Sequence, residues 1–175
     1  WYAALLGYET IGLSMADPKV REFMEGLLAE VQAGLVLTMP HRKKDLDTLV
    51  QSFINSCISA YKDPCERVAR DPLRKLAASE RVLGSIVGNI QQGLPYQRLS
   101  QGALYGYYYS IQQKDIRYGE AIEHLEIQLG QSGLSKQHQQ SLQRNIETQL
   151  AQLLTAKHKC HNPCHIHLSK QAGLS

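Results

Sequence analysis

Apolar residues recur every three or four positions along almost the whole chain, and prolines cut the pattern into lengths. One stripe runs Val20, Phe23, Met24, Leu27, Leu28, Val31. A second is Leu46, Leu49, Val50, Phe53, Ile54, Cys57, Ile58, and a third is Val82, Leu83, Ile86, Val87, Ile90. Further stripes run through Ala103, Leu104, Tyr107, Tyr108 and Ile111, through Ile122, Leu125 and Leu129, and through Leu142, Ile146, Leu150 and Leu154. A period near 3.6 buries one face of a helix, and no stretch shows the period of two that a half-buried strand needs. The expected fold class is all-α.

Punctuation sets the helix ends. Asp-Pro occurs three times, at 17–18, 63–64 and 71–72. An Asp N-cap followed by a first-turn proline starts a helix. The last two pairs lie so close together that the backbone must break and restart between them. Pro40 ends the first long stripe, and His41 to Lys44 read as a basic loop. Ser79 and Ser135 are expected as N-caps and Gly93 as a C-terminal stop. From His158 the periodicity is lost. The expected organisation is one helical domain, residues 1–157, and a flexible Cys/His-rich tail, residues 158–175.

The chain has 175 residues, enough to bury a core. Its net charge of +3 is too small to argue for nucleic acid. No apolar run approaches the ~20 residues of a membrane span. The opening WYAALLGYET lacks the basic start of a signal peptide, and Trp1 in place of Met reads as a fragment of a longer protein or a processed product. A cytoplasmic location, no nucleic-acid partner and no membrane partner are expected. Neither GxGxxG nor GxxxxGK[ST] occurs, so these residues supply no nucleotide loop of either kind.

The densest chemistry lies in Arg67-Val68-Ala69-Arg70-Asp71-Pro72-Leu73-Arg74-Lys75-Leu76. Arg67, Arg70, Arg74 and Lys75 crowd around a proline. Guanidinium forks match phosphate or carboxylate oxygens, and Lys adds a mobile point charge. Helix starts at Pro64 and Pro72 would add N-termini that favour anions. The other reading is a solvated surface pairing with Glu66, Asp71 and Glu80.

Two further clusters are candidates. Cys160 and Cys164 with His158, His161, His165 and His167 have zinc-type ligands, but no second ligand pair lies elsewhere, and no resident metal is expected. Tyr105, Tyr107, Tyr108 and Tyr109 could form a stacking platform or a helix–helix core. Cys57 is expected buried and Cys65 partly exposed; His41, His124 and His138 read as solvated.

The run RVARDPLRKL, followed by Ser79-Glu80-Arg81-Val82-Leu83-Gly84, resembles the RVGRDPLRKL…DRLIG signature of the mannitol-1-phosphate 5-dehydrogenases, within the polyol-specific long-chain dehydrogenases. Gly7-Tyr8-Glu9-Thr10-Ile11, with Met15-Ala16-Asp17-Pro18, resembles that family's GYxTIxEAMxDP, and Gly93-Leu94-Pro95 its GLP. The family's RFxNP stands here as Ser52-Phe53-Ile54-Asn55-Ser56, and its signature Gly as Ala69.

The resemblance implies the C-terminal, substrate-holding helical domain of an enzyme whose separate N-terminal Rossmann domain binds NAD. It implies a polyol phosphate as small-molecule partner, with mannitol 1-phosphate and fructose 6-phosphate interconverted. It places Arg67 and Lys75 at the substrate, with Arg70 and Arg74 near the phosphate. The family's KxxxxNxxH, with its catalytic Lys, precedes the first residue here, so no catalytic residue is expected in this chain and the 175 residues alone are expected to be inactive. Two other readings stand beside it: a free-polyol or hexuronate dehydrogenase, and a non-catalytic helical binding module with a metal-binding tail.

Overall fold

The longest uninterrupted run of buried residues belongs to one helix, and most of the longer helices pack against it. The structure, a computed structural model, describes residues 1–59 and 62–159. In chain order the helices are α1 (Tyr2–Leu5), α2 (Ile11–Ala16), α3 (Pro18–Thr38), α4 (Lys43–Ile58), α5 (Cys65–Ala69), α6 (Pro72–Lys75), α7 (Arg81–Gln91), α8 (Gln97–Gln112), α9 (Tyr118–Gly130) and α10 (Lys136–Lys159). A 3₁₀ turn, Pro40–Arg42, joins α3 to α4. Among the described residues there is no strand, only an isolated bridge between Thr10 and Pro64. The chain is all-α.

Helix α8 touches α1, α3, α6, α7, α9 and α10. From Leu99 to Ser110 every residue but Gln101 is buried. A helix buried on all sides needs neighbours at close range, and small residues allow it. A methyl on Gly102 would lie 3.1 Å from Leu27 Cδ1 of α3. One on Gly106 would lie 2.9 Å from Leu76 Cδ1 and 3.0 Å from the Trp1 ring. Leu76, just after α6, thereby seats the basic segment on α8. The tyrosine cluster is core, not a stacking platform. Tyr105 stacks on Tyr2 at 4.8 Å and meets Phe23 edge-on at 5.5 Å, fastening α1 and α3 to α8. Tyr107 is fully buried, and its hydroxyl lies 2.9 Å from His124 Nδ1 of α9. His124 is therefore partnered within the fold rather than solvated.

Long-range polar contacts place α8. Glu30 of α3 is buried and accepts from the first backbone amides of α8, Arg98 N at 3.0 Å and Leu99 N at 2.9 Å. Those amides have no partner inside the helix, so a carboxylate from another element caps it. Asn89 of α7 donates to Glu30 O at 2.9 Å and Pro95 O at 2.6 Å. Gly93 adopts φ +67° and turns the chain from α7 to α8, so the Gly-Leu-Pro stretch sets this corner.

Several helix ends match the reading of the sequence. Asp17 caps α3 through Lys19 N at 2.8 Å, and Ser135 Oγ accepts from His138 N at 3.3 Å. Others differ. Lys43 and Lys44 lie inside α4 rather than in a loop, because the 3₁₀ turn absorbs the Pro40 break. Glu80, not Ser79, precedes α7. Helix α10 continues through Lys159, two residues past the point where apolar periodicity fades. The stripe of α4 is only half covered: Leu46 and Cys57 are buried, but Leu49 is 64% and Phe53 47% exposed. Helix α4 packs on α2 and α3, from one side. No described helix is long and apolar enough to cross a membrane.

Candidate substrate-holding face

The basic segment is held from both ends. At its start, Ile11 N donates to Asp63 O at 3.0 Å and Cys65 N donates to Glu9 O at 3.0 Å. The Gly-Tyr-Glu-Thr-Ile stretch is thus paired through its main chain with the residues that enter α5. Gly7 supplies the φ of +82° needed to turn α1 into this seam. Tyr8 donates to Asp17 Oδ2 at 2.6 Å, and this bond, followed by the amide of Lys19, holds the Asp17 carboxyl below the usual carboxylate range. Further along, Trp1 Nε1 donates to Ala69 O at 2.8 Å, and Leu76 is sealed under α8.

Between these anchors the backbone departs from the simple cap pattern. Neither short helix has a side-chain cap: Asp71 makes none to α6, and Pro64 rather than Asp63 occupies the position before α5. The expected Asp caps at 63 and 71 are therefore corrected. Asp63 instead forms a two-bonded ion pair with Arg67, Nε to Oδ1 and Nη2 to Oδ2. Asp71 adopts the left-handed conformation, φ 53° and ψ 52°. Helices of 5 and 4 residues are single turns, so their N-termini add little to anion binding.

The four cations of the run separate into two settings. Arg67 is fixed by Asp63, whose side chain is almost wholly covered. Lys75 reaches back across the bend, and its Nζ donates to Val68 O at 2.8 Å. Desolvation first, and then the charge of Arg74, pull the Lys75 ammonium below the usual lysine range; Asp71 opposes this, while Arg81 and Arg70 add to it. Lys75, Arg70, Arg74 and Arg81 therefore form one field of like charge with Asp71 as its carboxylate. Arg70 and Arg74 project to solvent, whereas Lys75 is half-buried. Clustered like charges repel, and a bound anion relieves the repulsion with charge-assisted hydrogen bonds.

Two participants escaped the sequence reading. For Asp63 the signal that could have found the pair is an Asp four residues before an Arg, although Asp63 itself lies just outside α5. Arg81 stands in the signature itself but lies across a break from the rest of the run, so sequence proximity did not reveal it. Cys65, expected partly exposed, is 2% exposed, and burial pushes its thiol up. Among the described residues no group of three or more His, Cys, Asp or Glu is arranged to hold a metal. Cys160, Cys164, His161, His165 and His167 lie outside the described residues. An open groove of about 990 Å³ between α8 and α10 is lined mainly by amides and hydroxyls, among them Gln101, Gln140 and Asn145. It includes none of the basic run.

A deep helical core, a main-chain seam from the first motif, and a basic bend mounted on α8 thus occupy one connected body. The model of the mannitol dehydrogenase C-terminal domain matches residues 1–159, and the chain belongs to that family.

Proposed function

We propose that the face built from residues 63–81 holds the substrate of an NAD-dependent polyol phosphate dehydrogenase that interconverts mannitol 1-phosphate and fructose 6-phosphate. One observation carries this reading: Lys75 is tethered to Val68 O inside a field shared with Arg70, Arg74 and Arg81. A preset ammonium and flanking guanidinium groups suit a dianionic phosphate. Arg67, steadied by Asp63, orients the hydroxyl-bearing chain of the sugar.

The described residues do not fit a dinucleotide, since no strand leads into a glycine turn and helix among them. The resemblance assigns NAD to a separate N-terminal domain, and no step at these residues passes through it. When bound there, it accepts or delivers the hydride. The resemblance assigns the proton of the reacting hydroxyl to the lysine of the KxxxxNxxH motif. The residues here bind and orient, and their contribution is placement of the reacting carbon.

The test is NADH oxidation by the enzyme carrying this domain, with fructose 6-phosphate and with fructose, before and after Lys75→Ala. Turnover confined to the phosphorylated sugar, with a KM raised about tenfold or more in the variant, is expected for loss of a charge-assisted hydrogen bond. Equal turnover of fructose would move the enzyme to the free-polyol branch, and turnover of a hexuronate alone would assign the same cations to a carboxylate.

A further inference from the structure

Asp71 is doubly disfavoured where it stands. A residue before proline is pushed toward extended conformations by the proline ring. A non-glycine residue at φ 53° also meets a steric penalty from its own Cβ, one that Asp and Asn offset through a local side-chain hydrogen bond, and Asp71 makes no such bond to α6. The other such residue among those described, Lys114, lies just past the end of α8, where left-handed backbone is ordinary. Asp71 has no such excuse, and its carboxylate caps nothing. Strain of this kind persists only where the surroundings dictate it.

Here they do. Ala69 and Pro72 are buried on either side of the bend, and Leu76 is sealed beneath α8. Asp71 O accepts from Lys75 N at 3.2 Å, and Lys75 Nζ returns to Val68 O at 2.8 Å. The segment is a ring closed by an ammonium, with Asp71 at its corner. An extended residue at that corner would carry α6 away from α5 and part Lys75 from Val68.

We infer that Asp71 is a positioning residue whose left-handed backbone, rather than its carboxylate, folds Lys75 back onto Val68 and into the cation field. The inference rests on the reading of this face as an anion grip, but the tether has a readout of its own.

The experiment uses the 175-residue chain with lysine labelled at Cε with ¹³C, and inorganic phosphate as the probe. Lys75 is titrated by NMR, and phosphate affinity is measured by calorimetry, in Asp71→Gly, Asp71→Asn, Asp71→Ala and Asp71→Val. Gly and Asn adopt the left-handed region readily, whereas a β-branched residue does not. With Gly or Asn the Lys75 titration is expected to stay low or fall further, because the opposing carboxylate is gone while the burial remains. With Val it is expected to rise toward that of a free lysine, and phosphate affinity to fall about tenfold, the loss of one charge-assisted hydrogen bond. Ala serves as the milder variant if Val does not fold, and it should fall between.

If Gly, Asn and Val behave alike in both measurements, the backbone is irrelevant and the inference is overturned. Loss of affinity in Asn equal to that in Val would make the carboxylate the active feature and overturn it as well. Lys75→Ala separates the two levels: unchanged phosphate affinity in that variant sinks the anion grip, while the titration still decides whether Asp71 sets the tether.

Discussion

Helix α8 and the basic segment meet at Leu76, yet they turn their side chains in opposite directions. From Leu99 to Ser110 nearly every residue of α8 is buried, and Tyr105 and Tyr107 are folded into contacts with α1, α3 and α9. Along residues 63–81 the backbone is pinned at several points while Arg70 and Arg74 face water. The first region gains from burial, and the second holds repelling charges near one another at some cost. A stable core beneath a strained, charged surface is a common division of labour between folding and binding. The division predicts that substitutions in one region should move stability and those in the other should move ligand affinity.

The largest departure is expected at the junction. Leu76 is fully buried, and Leu76→Ala should cost about 2–5 kcal/mol of unfolding free energy in a urea titration, with phosphate affinity falling as well. Unchanged affinity at that loss of stability would mean that the bend keeps its shape without its seat, and the comparison would break. Next comes the long-range cap. Glu30→Gln leaves one of the two α8 amides without its acceptor and should cost about 1–3 kcal/mol while leaving phosphate affinity untouched.

The smallest effect is a pH slope. Burial holds the His124 imidazole below its usual range, so the unfolded chain takes up a proton there before the folded chain does. Stability should therefore decline as pH falls through about 6.5, the ordinary histidine value. Melting curves between pH 7.5 and 5.5 should show this decline in the natural chain and a flatter profile in His124→Gln.

The long helices were legible because their periodicity is local. Helices α1 and α2, of 4 and 6 residues, are too short to display a period. The exposed half of the α4 stripe was not legible, since the sequence marks which residues are apolar but not which face finds a neighbour. The Glu30 cap joins residues 68 and 69 positions apart, beyond the reach of any spacing rule. At the candidate site the identity of the cations could be read directly. Their division could not, because Asp71 carries the letters of a cap and the backbone of a corner. A residue name does not fix φ, and tertiary anchors at Ala69 and Leu76 decide it.

The seam between Glu9–Ile11 and Asp63–Cys65 is written in amides and carbonyls. Scanning those positions with alanine would pass over it, since every residue except proline donates the same N–H. None of the hydrogen bonds that set the register uses a side chain. An insertion of one residue, or a proline at position 11 or 65, would reach it where side-chain changes do not. The alignment of the first motif with the basic bend is thus a property of chain length and backbone, tolerant of altered letters and intolerant of altered spacing.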